Sequence, residues 1–550
     1  MREKFLDRTE FDSYEDFKAN CRLKAPEKFN FAYDVVDAWA EEDDGKRALV
    51  HLDDAGRVQE FSFGDVKRRS NQAANALERA GIGKGDVVMM ILKQRPEVWF
   101  TLVALNKLGA VAIPASFLLT GKDISYRVQA AGVKLLITTD DDVVAGHVRD
   151  ALPECGGMKW MTVGDRTPPE AADYRAAMAA ESDVRERRAD TACDGDPMLT
   201  YFTSGTSGWP KMISLDCTYP IGHIITAKYW QHVVDGGLHL TAVDSGWAKF
   251  AWGKIYGQWI CGSAIAAYDT EKFTPAGMLG AIEKLKVTTF CAPATVYRFM
   301  IHEDVRAYDL SSVKQCSMAG EPLNPEVFNR WMELTGMPLV EGFGQTEGTV
   351  LIANFGWDPI KPGSTGKFAP NYDLEIVGDD GVPCEEGEEG HLVIRGTDKA
   401  HPIGLFRGYL NDPETMAKRW SGGTYDTGDV AWRDGDGYIW FVGRSDDVIK
   451  CSGYRIGPFE VESALMEHPA VVECAVTAAP DPDRGQVVKA TIVLKKGVEG
   501  TPALVKELQN HVKKTTAPYK YPRIVEFVEE LPKTHSGKIK RDAIRKHDGA

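Results

Sequence analysis

The hydrophobic pattern changes character near residue 360, and that change restricts the architectures open to the chain. Before it, helix-type and strand-type segments alternate. Residues 64–80 (GDVKRRSNQAANALERA) space their apolar side chains as one face of a helix. VVMMIL (87–92) and KLLITT (134–139) read as short buried strands, with VWFTLVALNKLGA (98–110) as a buried helix between them. This alternation predicts α/β layers around a largely parallel sheet. Beyond residue 360, short strands bounded by Gly, Asp or Pro take over: DLEIV (373–377), GHLVIRG (390–396) and YIWFVGR (438–444). They predict a small, mostly antiparallel β unit.

After Arg444 a polar segment, SDDVIKCSGYRIGP, leads into a compact α+β tail. A helix over 459–467 starts behind Pro458, a favoured first-turn residue. Strands over 471–476 and 487–494 and an amphipathic helix over 503–514 follow. The expected fold class is α/β: a large N-terminal domain of layered α/β subdomains plus the small β unit (1–445), then a small α+β C-terminal domain (446–550). A chain of 550 residues is too long for one core, since domains hold roughly 100–200 residues.

Five segments carry candidate chemistry. Thr203, Ser204, Gly205, Thr206, Ser207, Gly208, Trp209, Pro210 and Lys211 follow the apolar run MLTYF, which places them at a strand end. Hydroxyls, free N–H groups and a lysine around two glycines suit phosphate oxygens. The spacing is not that of a Walker A loop, and a Ser/Gly surface turn has similar composition. Glu341, Gly342, Phe343, Gly344, Gln345, Thr346 and Glu347 combine glycines that let a flat ligand approach with a hydroxyl and a hard carboxylate suited to Mg²⁺. A glycine-rich bend with a solvated carboxylate would read the same way.

In Tyr425–Asp429 (YDTGD), Asp429 can accept both hydroxyls of a ribose, although a lone TGD also suits a β-turn. GRSDDVIKCSGYRI (443–456) is long and varied enough to make chance a poor explanation. PKTHSGK (532–538) puts Lys538 just beyond a glycine turn near the end, where it could reach a site built by another domain.

In this order and spacing, the five segments resemble the adenylate-forming superfamily of acyl-CoA synthetases, luciferases and peptide-synthetase adenylation domains. SGYRIGPFEVESALMEHPAVVECAV, DPDRGQVVKA and TAPYKYPRIVEFVEELPKTHSGKIKR are most similar to medium-chain acyl-CoA synthetases. The resemblance implies ATP, Mg²⁺ and coenzyme A as cofactors and a carboxylic acid as substrate. It implies that Thr203–Lys211 holds the ATP phosphates and that Glu341–Thr346 lies along adenine and the α-phosphate, with Glu347 on Mg²⁺. Asp429 and Arg444 would bind ribose, and Arg455 would face the phosphates. Asp446 would be the hinge of a mobile C-terminal domain. Ser452, Gly453 and Tyr454 would line the CoA tunnel, with Arg484, Lys513, Tyr521 and Arg523 also contacting CoA. Lys538 would be the catalytic lysine of adenylation, acting with Thr346 and Glu347.

An acid pocket is expected from GWAKFAWGKIYGQW (246–259) with Gly320 and Glu321. Trp247, Trp252 and Trp259 could wall an apolar slot or belong to the core. A medium-chain fatty acid is the expected substrate; short-chain, branched and aromatic acids stay open, since a methylene is worth only about 1–3 kcal/mol in an apolar pocket. The chain departs from the family after the phosphate loop, where Met212–Tyr219 contains no histidine and the first is His223. Trp209 is also large for its loop position, and both changes bear on loop packing.

Rival readings are a carrier-loading adenylation domain, a luciferase-like oxygenase, and a catalytically silent nucleotide-binding protein. The last would lose Glu347 or Lys538, and both are present. The net charge of −15 disfavours nucleic acid as a partner. No run of about 18 apolar residues predicts a membrane span, and the charged start (MREKFLDRTEF) lacks a secretory pattern, so a cytoplasmic protein is expected. The ten cysteines form no CxxC pair and are expected to be idle buried thiols. The oligomeric state is open.

Overall fold

The computed structural model describes residues 1–203, 210–321, 323–451, 454–481, 484–533 and 538–547. These residues build four sheets. In the first, Gln315–Met318, Thr289–Ala292, Leu238–Thr241, Ala264–Asp269 and Arg47–Asp53 lie parallel, flanked on one side by Leu339–Gly344 and then the antiparallel Val350–Ala353. The second runs Val87–Ile91, Val111–Pro114, Val133–Thr139 and Lys159–Val163 in parallel. Its other edge is the hairpin of Pro197–Thr203 with Lys211–Asp216. The third is the antiparallel β unit, built on Asp373–Val377, Gly390–Arg395, Thr424–Arg433 and Ile439–Arg444. The α/β fold with a smaller C-terminal domain matches the sequence expectation.

Local signals account for the helices between the strands. Ser62 and Asp65 form a reciprocal capping box at the start of Phe63–Arg79, and Thr120 with Asp123 does the same for Gly121–Ala131. Such caps are worth about 1 kcal/mol each because they satisfy N–H groups the helix leaves open. Glu97–Leu108 is buried on every side, so it shows no amphipathic stripe and fills the space behind the second sheet. The two large sheets share one hydrophobic body, in which Trp99, Trp230 and Trp259 are fully buried.

The fourth sheet contains Ile449–Cys451, Tyr454–Ile456, Val471–Asp481, Gly485–Leu494 and Ile524–Val528. Helices Pro458–Met466 and Pro502–Thr515 pack on it around Ile456, Val461, Leu465, Val476, Ile492, Leu508 and Val512. This cluster draws on no residue before Ile449, so the C-terminal segment has an apolar core of its own. All ten cysteines are unpaired and nine of them are buried. Among the described residues no helix is long and apolar enough to cross a membrane.

Helix Tyr256–Ile260 meets helix Tyr219–Ile224 at a point where no side chain fits. A Cβ on Gly257 would lie 2.1 Å from the His223 carbonyl oxygen. Gly257→Ala is therefore expected to cost about 1–3 kcal/mol through overpacking. A lowered denaturant midpoint with an unchanged m-value would register it.

Candidate active site

The candidate cleft is placed at the carboxyl ends of the parallel strands in the first sheet, the usual ligand position in open α/β sheets. Gln315–Met318 runs out into Gly320 and Glu321, and Leu339–Gly344 carries the EGFG motif to the same edge. Strands Pro197–Thr203 and Lys211–Asp216 pair antiparallel, with Thr203 opposite Lys211. Ser204, Gly205, Thr206, Ser207 and Gly208 themselves, with Trp209, lie outside the described residues. Lys211 donates to the Thr415 hydroxyl at 3.3 Å, lies 3.7 Å from Asp412 and sits over the Tyr409 ring.

Asp429 is the electrostatic centre of the cleft wall. It is 2 % exposed and pairs in strand register with Arg444, whose guanidinium stands 3.5 Å from its carboxylate. The Gln345 amide donates to the same carboxylate and, at 2.8 Å, to the Thr427 carbonyl, while Tyr425 donates to Gln345 Oε1 at 3.2 Å. Burial raises the Asp429 carboxyl to about 6, with Arg444 and the Gln345 hydrogen bond opposing the rise. Glu347 accepts a 2.7 Å hydrogen bond from the Tyr409 hydroxyl. Thr346 sits beside it in a half-buried turn.

The EGFG strand departs from the sequence reading in two respects. The tight spaces at its glycines are filled by indole rings rather than left for a flat ligand. A Cβ on Gly342 would lie 2.4 Å from the Trp230 ring, and one on Gly344 would lie 2.3 Å from the Trp252 ring. The Glu341 side chain turns into the body, where burial pushes its carboxyl up to about 8 against hydrogen bonds from Leu323 N–H and Thr365. Its backbone carbonyl accepts the Asn354 N–H at 2.9 Å. Phe343 is half-buried against Phe441, with ring centroids 5.4 Å apart, and offers an aromatic wall.

The acid-pocket residues separate into two groups. Trp259 is core: it donates to the Ala48 carbonyl at 2.9 Å and stacks parallel to Phe31. Trp252 is buried edge-on to Trp230 beneath Gly344, so it supports the nucleotide strand from below. Trp247 is half-buried ahead of helix Ala248–Gly253, and Gly320 has open space on its side-chain face. Glu321 is engaged by Thr295, whose N–H and hydroxyl both donate at 2.9 Å, so its carboxylate tethers helix Ala294–Met300. His223 is a fully buried imidazole packed on Tyr219, and burial lowers it to about 3, so it stays neutral.

The C-terminal segment brings Lys538 to this cleft. Its side chain keeps solvent exposure, yet the surrounding protein strips water from the ammonium and holds it below the usual lysine range. Glu321 opposes that shift, Arg444 adds to it, and Asp429 and Glu347 oppose it, so all four lie within electrostatic reach. Lys249 is also there: it donates to the Ala319 carbonyl at 2.7 Å, and burial with help from Lys538 lowers it. Sequence reading passed over Lys249, although a lysine inside the apolar run GWAKFAW was a visible signal. It also gave no role to Tyr409, which only the fold brings to Glu347, or to Tyr425, four positions before Asp429.

Ser452 and Gly453 lie outside the described residues. Tyr454 is 52 % exposed and stacks on Tyr519 at 4.2 Å, away from the Asp429 cluster. Arg455 is held by Asp379 of the β unit at 2.5 Å rather than pointing at the cleft. Lys513 and Arg523 both stand over the Tyr521 ring, at 4.0 and 4.9 Å, and Arg523 donates to the Tyr521 hydroxyl. Three of the residues expected on CoA thus form one cationic–aromatic cluster; Arg484 sits apart at the start of Gly485–Leu494, its backbone N–H on Asp481. Asp446 lies 3.7 Å from Arg444 at the seam between the β unit and the C-terminal segment.

Comparison with known proteins identifies the family. The AMP-binding enzyme family matches residues 36–410, and the AMP-binding enzyme C-terminal domain matches residues 460–538. The mouse (Mus musculus) acyl-coenzyme A synthetase ACSM3, mitochondrial, is 41 % identical over 98 % of this chain and 94 % of its own length. The crystal structure of the anthranilate CoA ligase AuaEII in complex with anthranoyl-AMP superposes with a TM-score of 0.84 at 28 % identity, covering 95 % of this chain and 98 % of that one. The Brucella canis acyl-CoA synthetase structure gives 0.74 at 32 % identity, covering 98 % and 99 %.

Because burial raises the Asp429 carboxyl to about 6, lowering the pH through that value is expected to convert its carboxylate acceptor into a neutral acid. Nucleotide affinity is expected to fall on the acid side of pH 6 and to level off above it. Asp429→Asn should weaken binding by about 10- to 100-fold, the worth of a hydrogen bond to a charged group, and should remove this step from the pH profile. Calorimetric titration with ATP from pH 5 to 8 measures both effects.

Proposed function

The chain belongs to the AMP-binding enzyme family as an AMP-forming acyl-CoA synthetase, and from that premise we propose the roles its residues take. A carboxylate oxygen of the acid attacks the α-phosphorus of ATP, and pyrophosphate leaves. Two anions must meet, so positioning and charge dominate the barrier. Asp429, with Arg444 beside it, takes the ribose hydroxyls. Phe343 and the backbone of 341–346 line adenine and the α-phosphate, while the Thr203–Lys211 segment holds the phosphates. Lys538 bridges the acid carboxylate and the α-phosphate, a role suited to a compact cation on a flexible stem. Lys249 adds a second cation on the acid side.

What supports this reading above all is the convergence of Lys538 with Glu321, Arg444, Asp429 and Glu347 in one cleft. Glu347 fits a Mg²⁺ ion. One hard carboxylate, braced by Tyr409, suits an ion that takes its other ligands from phosphate and water. Among the described residues no group of three or more His, Cys, Asp or Glu could hold a metal unaided, so the ion is expected to arrive with the nucleotide. When bound it offsets phosphate charge.

In the second half-reaction the CoA sulfur attacks the acyl carbonyl, AMP departs with the bonding pair, and the thiol proton passes to solvent. The C-terminal domain turns at Asp446, withdrawing Lys538 and presenting the 452–454 segment. The exposed position of Tyr454 while Lys538 occupies the cleft supports such an exchange. Lys513, Tyr521 and Arg523 receive the anionic, purine-bearing end of CoA. The proposed substrate is a medium-chain fatty acid, on the similarity of the 452–540 region to medium-chain acyl-CoA synthetases.

Lys538→Ala should slow acid-dependent ATP–pyrophosphate exchange by about 10²–10³ and leave thioester formation from preformed acyl-AMP largely intact. Equal losses in the two assays would sink the alternation. CoA-dependent AMP release across acetate, butyrate, octanoate, 2-methylbutyrate and benzoate tests the chain-length proposal, with octanoate expected to give the highest kcat/KM.

A further inference from the structure

Helix Arg541–His547 begins three residues after Lys538 and turns two arginines back toward the seam. Arg545 donates to Asp447, the residue after the proposed hinge, at 2.7 Å, and also to Asp542. Arg541 Nη2 donates to both carboxylate oxygens of Glu462, at 2.6 and 2.8 Å, and its Nη1 lies 4.0 Å from Asp447. Glu462 also accepts the Val476 N–H at 2.8 Å, which joins helix Pro458–Met466 to the edge strand Val471–Asp481 of its sheet. Asp447 in turn donates its N–H to the Arg444 carbonyl at 2.9 Å. One polar network therefore runs from the strand end that carries Arg444 to the helix that follows Lys538.

These charges are largely buried: Asp447 is 9 % and Glu462 5 % exposed. Buried ion pairs of this kind add little net stability over well-packed apolar residues, because desolvation offsets the attraction. What they do supply is fixed geometry, since a guanidinium fork accepts few orientations. Lys538 needs that. The residues flanking Lys538 are tied by bridge pairing of Lys533 with Ile539 and by the Lys540 N–H on the Pro532 carbonyl. On its C-terminal side, the helix is seated by Ile544 against Leu531 and Ala475 and by the two arginines.

We propose that Arg541 and Arg545 are positioning residues for the adenylation step. Through Asp447 and Glu462 they hold the Lys538 segment at a set distance from the pivot, so that rotation delivers the ammonium to one place. Neither arginine touches substrate. The proposal rests on the roles given above to Lys538 and Asp446.

The test runs both half-reactions on the full-length enzyme, with octanoate for ATP–pyrophosphate exchange and octanoyl-AMP plus CoA for thioester formation. Arg545→Ala is expected to lower exchange turnover by about 10- to 100-fold, as a misplacement near 1 Å would. The KM for ATP and the thioester rate should change less than threefold. Arg545→Lys and Asp447→Asn, which keep volume and fold, should show smaller losses confined to exchange, and they carry the test if the alanine variant melts early. The Asp447→Asn/Arg545→Ala double variant should lose no more than Arg545→Ala alone. Unchanged exchange, or equal loss in both half-reactions, overturns the proposal. Lys538→Ala run alongside separates the two levels: if it divides the half-reactions and the arginine variants do not, only the positioning role fails; if it does not divide them, the premise falls first.

Discussion

A carboxylate taken almost wholly out of water, Asp429, organises the rest of the cleft. Such a group survives only with partners, and its partners come from three parts of the chain: Gln345 from the first sheet, Arg444 from the neighbouring strand, and Lys538 from the far end. The strand that carries Arg444 ends at the seam with the C-terminal domain. The residue that balances Asp429 is therefore also the last strand residue before the proposed hinge. In the roles proposed above, nucleotide recognition and domain movement meet at one ion pair.

The apolar side of the site follows a different logic. Trp230 and Trp252 stand edge to face beneath the EGFG strand, and the two glycines allow that strand to settle on the indoles. Phe343 alternates to the other face of the strand and looks into the cleft. A strand with bulk on one face and none on the other is rigid where it is packed and open where it binds. Trp252 belongs to the segment expected to hold the acid, so the acid and nucleotide halves of the site share a foundation.

Much of this was legible in the amino-acid order. Strands such as Val87–Ile91 and Asp373–Val377, and helices such as Phe63–Arg79 and Pro458–Met466, fall within a residue or so of their hydrophobic and capping signals. Local physics sets these features. What stayed hidden depends on distant contacts. The two glycines of EGFG announce that no side chain fits, but not that Trp230 and Trp252 are the obstacle. Trp259 shares its segment with Trp247 and Trp252, yet its indole N–H finds the Ala48 carbonyl and takes it into the core. Glu341 shares a motif with Glu347, but the alternation of a strand sends it inward. Tyr409 and Lys249 reach the cleft only because separate elements fold over it.

Arg455 and Asp379 have a consequence of their own. Theirs is a direct side-chain clasp between the β unit and the C-terminal domain, and Asp379 stands mostly in water. An ion pair so exposed contributes only about 0–1 kcal/mol, comparable to thermal energy. If the C-terminal domain turns as proposed, a fastening this slight serves it; a deeper one would trap the intermediate behind a door that could not reopen.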